Sequence, residues 1–406
     1  MNSQRFLSSV ESLGQIGWED GKGLYRTAFS EAFVKGREFV AGLMKEARMD
    51  VRVDSVGNLF GRYEGNNKNA PAVLLGSHLD SVPGGGKYDG HLGVLSALEA
   101  ARSLHERGAL FCPVEVVGFN AEEGGDMGGT FGSRAVCGDV KSLPAPEVLA
   151  SLNLSAEKIA SAKLDFSKYR AYLELHIEQG PVLWRRKIPI GIPTAIVGIT
   201  RYLITMEGQA NHAGTTPMDE RKDAMKEAVK LLARWYDQVD EMCGAEKSEK
   251  DEKNFVCNVG TFALEPGSAS VIPGMASFAL ELRSTNDTVV KMLAGKFREL
   301  LQSMALPASM ELMISKPAVT LDESLRALIR DTCREMKIAS LDMPSGAGHD
   351  ASPLAMKIPS AMIFVPSTDG ISHNLEENTS NGDMLLGVEV LEKTLEKLAG
   401  YTSHRS

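Results

Sequence analysis

Residues 72–104 read AVLLGSHLDSVPGGGKYDGHLGVLSALEAARSL. Ala72–Leu75 is a short apolar run closed by Gly76, which predicts a buried strand. Apolar residues then return at helical spacing (Leu92, Leu95, Leu98, Ala101), which predicts a helix to Leu104. The same rhythm continues along the chain. Val114–Phe119 reads as a strand, Tyr172–Ile177 alternates and leads to Gly180, and Ala361–Val365 (AMIFV) is a late strand. Strands separated by helices of this length predict an α/β fold, a mainly parallel sheet with helices on both faces.

The middle of the chain has a different order. Arg201–Glu207, Asn254–Ala263, Ser270–Arg283 and Met310–Ser315 read as strands, with helices at Asp223–Val239 and Val289–Met304. Strands adjacent in sequence with two covering helices make a compact α+β unit. The charged run Glu246–Lys253 (EKSEKDEK) reads as a solvated loop. We therefore expect a discontinuous catalytic domain, 1–197 and 317–406, with an inserted α+β domain at 198–316. There is no internal repeat and no long low-complexity segment.

Composition narrows the function classes. The chain has 406 residues, and about 150 residues per domain gives roughly two or three domains. Charged residues at 24% and hydrophobic residues at 43% exclude a disordered chain. The net charge of -9 argues against a nucleic-acid binder and an anionic membrane surface. No apolar run approaches the ~18 residues of a membrane helix, and Met1–Trp18 lacks the basic-then-apolar order of a signal peptide. The five cysteines (112, 137, 243, 257 and 333) are widely spaced without a Cys-x-x-Cys pair, which reads as reduced thiols in a cytoplasmic protein.

Four segments carry chemistry. His78 and Asp80 are two apart at the end of the first strand, so in extended backbone they point the same way. A metal-bound histidine usually donates its other N–H to a carboxylate, and Asp80 is placed to accept it. After a flexible Gly84-Gly85-Gly86 comes Asp89, which reads equally as a metal ligand or as a helix cap. Val114–Phe119 runs into Glu122-Glu123. Two adjacent carboxylates there are either an exposed acidic loop or a metal ligand beside a general base.

The third segment is Leu173-Glu174-Leu175-His176-Ile177-Glu178-Gln179-Gly180, where Glu174, His176 and Glu178 share one strand face. That face is either solvated or functional. The fourth is Gly370-Ile371-Ser372-His373-Asn374, again a histidine in a loop after a strand. His78, Asp89, Glu122/Glu123, His176 and His373 all fall at or beyond strand C-terminal ends, where ligand sites of open α/β sheets gather. Nitrogen and carboxylate ligands without cysteine suit zinc, manganese, cobalt or nickel, and a carboxylate shared between two metals suits hydrolysis. Of the other histidines, His105 and His404 read as exposed and His91 as structural. His349, in a Gly-rich turn, is placed to support a ligand. His212 lies in the inserted domain and is excluded by chain order from the sheet edge.

These motifs together resemble the metal-dependent amidase group of the M20 peptidase family: the hydantoinase/carbamoylase, allantoate amidohydrolase and β-alanine synthase types. GSHLDSVPGGGKYDG, AEEGG…TFGSRA, LELHIEQGPVL, NHAGTTPM, EPGS…IPG, SGAGHDA and GISHN carry the resemblance, from Arg26-Thr27-Ala28-Phe29-Ser30 to Ser372-His373-Asn374. It implies two divalent metal ions held by His78, Asp89 (bridging), Glu123, His176 and His373, with Glu122 as base and Asp80 assisting. It implies an inserted lid that makes a homodimer and carries His212 to the partner's active site. It also implies substrate contacts at Arg283, Gln179, Ser270, Gly370 and Ser372, with Arg283 holding a carboxylate. Related exopeptidases use a carboxylate where this chain has His176. The chain departs from similar amidases at Gly125-Asp126-Met127, at Ser270 in place of Asn, and at Trp184 in place of Glu.

The reaction implied is hydrolysis of a linear C–N amide in a small ureido or N-acyl amino acid. An N-carbamoyl-L-amino acid would give amino acid, carbon dioxide and ammonia. Allantoate hydrolysis is the close alternative, and a dipeptidase or aminoacylase is a more distant one. A non-catalytic dimeric binding protein would have lost a ligand or the base, and none is lost here.

Overall fold

The computed structural model describes residues 1–141, 143–244 and 255–400; the run Glu246–Lys253 and His404 lie outside them. The chain forms two compact units, Met1–Ile196 with Thr320–Ser406, and Val197–Val319.

The larger unit is built on a nine-stranded mixed sheet. Its parallel centre runs Ser360–Val365, Tyr169–Ile177, Ala72–His78, Val114–Phe119. Its Ala72–Leu75 run is apolar without alternation because both faces of the strand are covered. Val73 and Leu75 enter one core cluster with Leu95, Leu98 and Val388, whereas Leu74 enters the other with Phe60, Tyr172 and Phe364. The first cluster is roofed by long helices, among them His91–Glu106 and Asn381–Ala399. Short helices such as Phe131–Val136 and Ala351–Ala355 cover the second.

The sheet departs from a mainly parallel one at its flanks. Asp50–Val53 and Leu59–Tyr63 form a hairpin that joins Val114–Phe119 antiparallel. Ile190–Ile196 pairs parallel with Ser340–Ser345 and touches Ser360–Val365 antiparallel. The first strand also continues past the expected stop at Gly76, to His78. Glycine is needed there, because a Cβ would stand 1.9 Å from the Val117 carbonyl oxygen of the neighbouring strand.

The smaller unit is a four-stranded antiparallel sheet in the order Phe255–Glu265, Met275–Ser284, Gly198–Glu207, Ala308–Lys316. Along Met275–Ser284 every second residue is buried, the pattern of a sheet with one covered face. Ala224–Gly244 and Asp287–Gln302 supply the cover. Trp235 meets Phe297 edge-on with ring centroids 5.2 Å apart, and Phe278 completes the contact. Burial of each such aromatic contributes ~2–3 kcal/mol. No helix among the described residues is long and apolar enough to cross a membrane.

Candidate metal centre

Parallel strands put their C-terminal ends on one edge, and the candidate ligands follow from that. His78 closes its strand, His176 is the penultimate residue of Tyr169–Ile177, and Glu122/Glu123 and His373 lie in the loops after Phe119 and Val365. Asp89 stands one residue before Gly90, where a Cβ would fall 2.3 Å from the His78 ring; glycine lets the loop close over that imidazole.

Two groups of side chains converge on Asp89, and a third, Glu174, His176 and His349, shares His176 with the first. Ligand atoms of His78, Asp89 and His176 lie within 4.8 Å of one another, and so do those of Asp89, Glu123 and His373. His176 Nε2 is 3.1 Å and His78 Nε2 3.5 Å from Asp89 Oδ1; His373 Nε2 is 3.2 Å from Asp89 Oδ2 and 3.3 Å from Glu123 Oε2. The ring tautomers follow from the opposite nitrogens. Nδ1 of His78 faces the Asp80 carbonyl oxygen at 3.0 Å, and Nδ1 of His176 the Ile177 carbonyl oxygen at 2.9 Å. A carbonyl only accepts, so both Nδ1 atoms carry hydrogen; Nε2 faces Asp89, donating to it when the ring is protonated and offering its lone pair when the ring is neutral.

In the neutral form, lone pairs aimed at a buried carboxylate call for a cation. Asp89 Oδ1 and Glu123 Oε1 are buried without a hydrogen-bond partner. The residues present therefore fit divalent metal.

Electrostatics report the same crowding. Burial opposes the charge on Asp89, but His176, His373 and His78 hold its carboxyl well below the usual range. Burial also opposes charging of His78, yet Asp89 and Glu122 raise its pKa well above the ordinary value. Glu122 is pushed up to about 7, chiefly by burial. Glu123 is raised well above the ordinary value, by burial and by Asp89. The acidic pair is thus not an exposed loop.

The strand face carrying Glu174, His176 and Glu178 is not solvated either, since all three are buried. Glu174 accepts hydrogen bonds from the Ser77 hydroxyl and the Ala351 N–H, and Glu178 from the N–H groups of Val182 and Leu183.

Asp80 differs from its expected position. The strand ends at His78, and the Asp80 carboxylate turns to accept the N–H groups of Glu122 (3.0 Å) and Glu123 (3.1 Å). Its Oδ1 stays 3.8 Å from His78 Nδ1, and the backbone carbonyl takes that N–H instead. Gln179 donates to Asp89 Oδ2 at 2.8 Å, and the Ser372 hydroxyl lies between Asp89 (3.3 Å) and Glu377 (2.8 Å). Gly370 packs against Pro181, where a Cβ would fall at 2.7 Å.

His212, Ser270 and Arg283 belong to the smaller unit. His212 pairs with Val271 in a two-strand ladder, and the Ser270 carbonyl accepts the Ala213 N–H, so these two are brought together. Exposed His212 accepts the Gly214 N–H at Nδ1, which leaves Nε2–H as a donor. Arg283 lies on another strand, with its Nε donating to Glu281.

The other histidines sort as follows. His105 is exposed and stacks on Tyr63. His91 is buried 2.8 Å from Arg26. His349 is bonded to Ser345 and meets the His176 ring edge-on.

A cavity of about 280 Å³ opens beside Glu123, lined by Thr27, Phe29, Ser81, Pro83 and Asp126 among others. A larger hollow of about 550 Å³ around Trp184 contains none of the converging ligands. Trp184 instead donates from Nε1 to Asp369. Sequence reasoning overlooked three buried groups that brace the centre. Arg26 donates to the carbonyls of Leu79 and Leu13, Asp350 accepts from Ser133, and Glu377 joins two loops. No spacing rule singles them out, because each also has a partner far away in sequence: Leu79 for Arg26, Ser133 for Asp350, Tyr88 for Glu377.

The profile of Peptidase family M20/M25/M40 matches residues 74–397. An N-carbamoyl-L-amino acid amidohydrolase of Geobacillus stearothermophilus is 34% identical over 415 residues, covering 98% of this chain and 99% of its own. An allantoate amidohydrolase of Bacillus subtilis (strain 168) is 34% identical over 410 residues, 96% of each chain. The solved hydantoinase/carbamoylase-family amidase from Burkholderia multivorans superposes with a TM-score of 0.84, at 31% identity and 98% coverage of both chains.

Proposed function

The chain belongs to peptidase family M20/M25/M40, and from that premise we propose that it hydrolyses a linear carbon–nitrogen amide bond, with an N-carbamoyl-L-amino acid as substrate. Allantoate is the alternative, since a relative named for it is equally similar at 34% identity. One observation supports the reading most: imidazole Nε2 atoms converge with two buried carboxylate oxygens, Asp89 Oδ1 and Glu123 Oε1, that have no hydrogen-bond partner, with buried Glu122 next in sequence.

Two divalent cations per chain (zinc, or manganese, cobalt or nickel) would be held by His78, His176, Glu123 and His373, with Asp89 bridging. When bound, such cations would supply Lewis acidity at the amide carbonyl and lower the pKa of a water. Glu122 takes the proton of the attacking water and delivers one to the leaving nitrogen. Its buried setting raises its proton affinity, which suits a group that must accept and then release a proton. Asp80 orients Glu122 and Glu123 through their backbone N–H groups.

The His212 Nε2–H stabilises the developing oxyanion, and such a donor is typically worth ~3–4 kcal/mol. Arg283 pairs with the substrate carboxylate in the two-pronged way open to a guanidinium. Gln179, Ser270, Gly370 and Ser372 complete the substrate contacts. The Val197–Val319 unit is assigned as lid and dimerisation domain of a homodimer, with His212 serving the partner's site. A cytoplasmic location is proposed on the five unpaired thiols.

The test is direct. Purified protein is incubated with Mn, Zn, Co or Ni and with N-carbamoyl amino acids, allantoate, N-acetyl amino acids and dipeptides, and ammonia and free amine are measured. Turnover of N-carbamoyl-L-amino acids above the rest is the expected result. Preference for allantoate selects the alternative, and release of amine only from dipeptides overturns both.

A further inference from the structure

Glu377 lies four residues beyond His373, in a loop remote in sequence from Asp89, and its carboxylate is buried. Oε1 accepts the N–H groups of Tyr88 at 3.0 Å and Asp89 at 3.1 Å. Oε2 accepts the Ser372 hydroxyl at 2.8 Å and the His373 N–H at 3.3 Å. One side chain thus ties together the two loops that carry Asp89 and His373.

The loop opposite is shaped to admit it. A Cβ at Gly86 would stand 2.2 Å from the Glu377 Cβ and 2.3 Å from its Oε1, so glycine at this position makes the space the carboxylate occupies. The run Gly84-Gly85-Gly86 therefore does not read as a flexible hinge. Gly85 is bridged to Leu24, and Gly84 packs where Gly23 must lack a side chain.

We infer that Glu377 is a positioning residue that fixes the separation of Asp89 and His373, and so sets the affinity of the cation held by Asp89, Glu123 and His373. The inference rests on the metal-dependent reading above. The Tyr88, Asp89 and His373 N–H groups and the Ser372 hydroxyl all donate, and a carboxylate can accept at both oxygens. Glutamine has the same shape but turns an NH₂ toward two of those donors. Groups that orient ligands in this way typically contribute 10–100-fold to metal affinity.

The experiment uses the full chain and cobalt(II) as probe. Apo wild type, Glu377→Gln and Gly86→Ala are titrated with Co²⁺ against a chromophoric chelator, well below their melting temperatures, and the visible d–d spectrum is recorded. Wild type should bind two equivalents. Both variants should keep one and bind the second at least ~10-fold more weakly, with part of the d–d band lost. A merely structural glutamate would lower the apo melting temperature and leave affinities and spectrum unchanged. That result in either folded variant overturns the inference.

Hydrogen exchange on apo wild type provides a readout independent of variant folding. The amides of Tyr88, Asp89 and His373 should be protected together, and free exchange at all three also overturns it. If wild type binds no cobalt while these amides are protected, the metal-dependent reading fails and the tie between the loops remains.

Discussion

Glu122 and Glu123 share one aspartate through their backbones, but their side chains meet different neighbours. Glu123 Oε2 lies 3.3 Å from His373 Nε2 and its Oε1 has no partner, whereas Glu122 contributes to neither converging group. Glu122→Gln should therefore keep the bound metal and lose about 10²–10⁴-fold or more in kcat. Glu123→Ala should lower metal content as well. Metal analysis beside steady-state rates checks both, and an emptied site in Glu122→Gln with a filled one in Glu123→Ala would reverse the roles.

The same side chains make the apo protein pH-sensitive. Glu122 and Glu123 have raised carboxyl pKa values, and His78 and His176 are raised against the opposing effect of burial, mainly through Asp89. Each group binds protons more tightly folded than unfolded, so each contribution is lost as pH rises through its folded pKa. His91 and His349 are lowered, chiefly by burial, and act oppositely, but only below the unfolded histidine value of about 6.5. Metal-free protein should accordingly melt lower at pH 9 than at pH 7. Added divalent metal should remove most of the difference, which calorimetry on chelator-treated and reloaded samples measures.

Secondary elements show where local sequence decides and where it does not. Gly76 sits inside a strand with no room above it, and the atom that a Cβ would strike belongs to the backbone of the next strand. Gly76→Ala should cost about 3 kcal/mol in chemical denaturation, because neither central strand can move aside. Val114–Phe119 is legible to the residue, because every position is buried and Val114, Val116, Val117 and Phe119 are apolar. Ile190–Ile196 is not, because Gly191 and Pro193 argue against a strand. The fold has a use for each: Gly191 lies under Phe364, where a Cβ would fall at 3.0 Å, and Pro193 sits where the ladder to Met343–Ser345 shifts register. Asp50–Val53 (DVRV) escapes because its alternation lasts only four residues and this edge strand is mostly exposed. For the centre, ligand types at strand ends could be read from spacing. The directions of Asp80 and Glu377 could not, because Asp80 is set by N–H groups 42 and 43 residues away and Glu377 reaches two that lie 288 and 289 away.

At the scale of the whole molecule, the division of labour between the two units has a consequence for assembly. Every proposed metal ligand falls in Met1–Ile196 or Thr320–Ser406, and His212 and Arg283 fall in Val197–Val319. If the smaller unit forms a two-fold dimer, symmetry makes both exchanges of His212 equivalent, so each site is built from two chains. Glu122→Ala and His212→Ala should each be nearly inactive alone. Mixed and allowed to exchange subunits, they form about half hybrid dimers under random pairing. In a hybrid, one site carries both defects, because the chain lacking Glu122 receives the partner's altered residue 212. The other site pairs an intact Glu122 with an intact His212. Recovered activity should approach ~25% of wild type, since half of the dimers have one of two sites restored. Native mass spectrometry verifies the exchange. Activity at background in a sample with confirmed hybrids would mean that His212 works within its own chain or takes no part, and the shared-site assembly would fall with it.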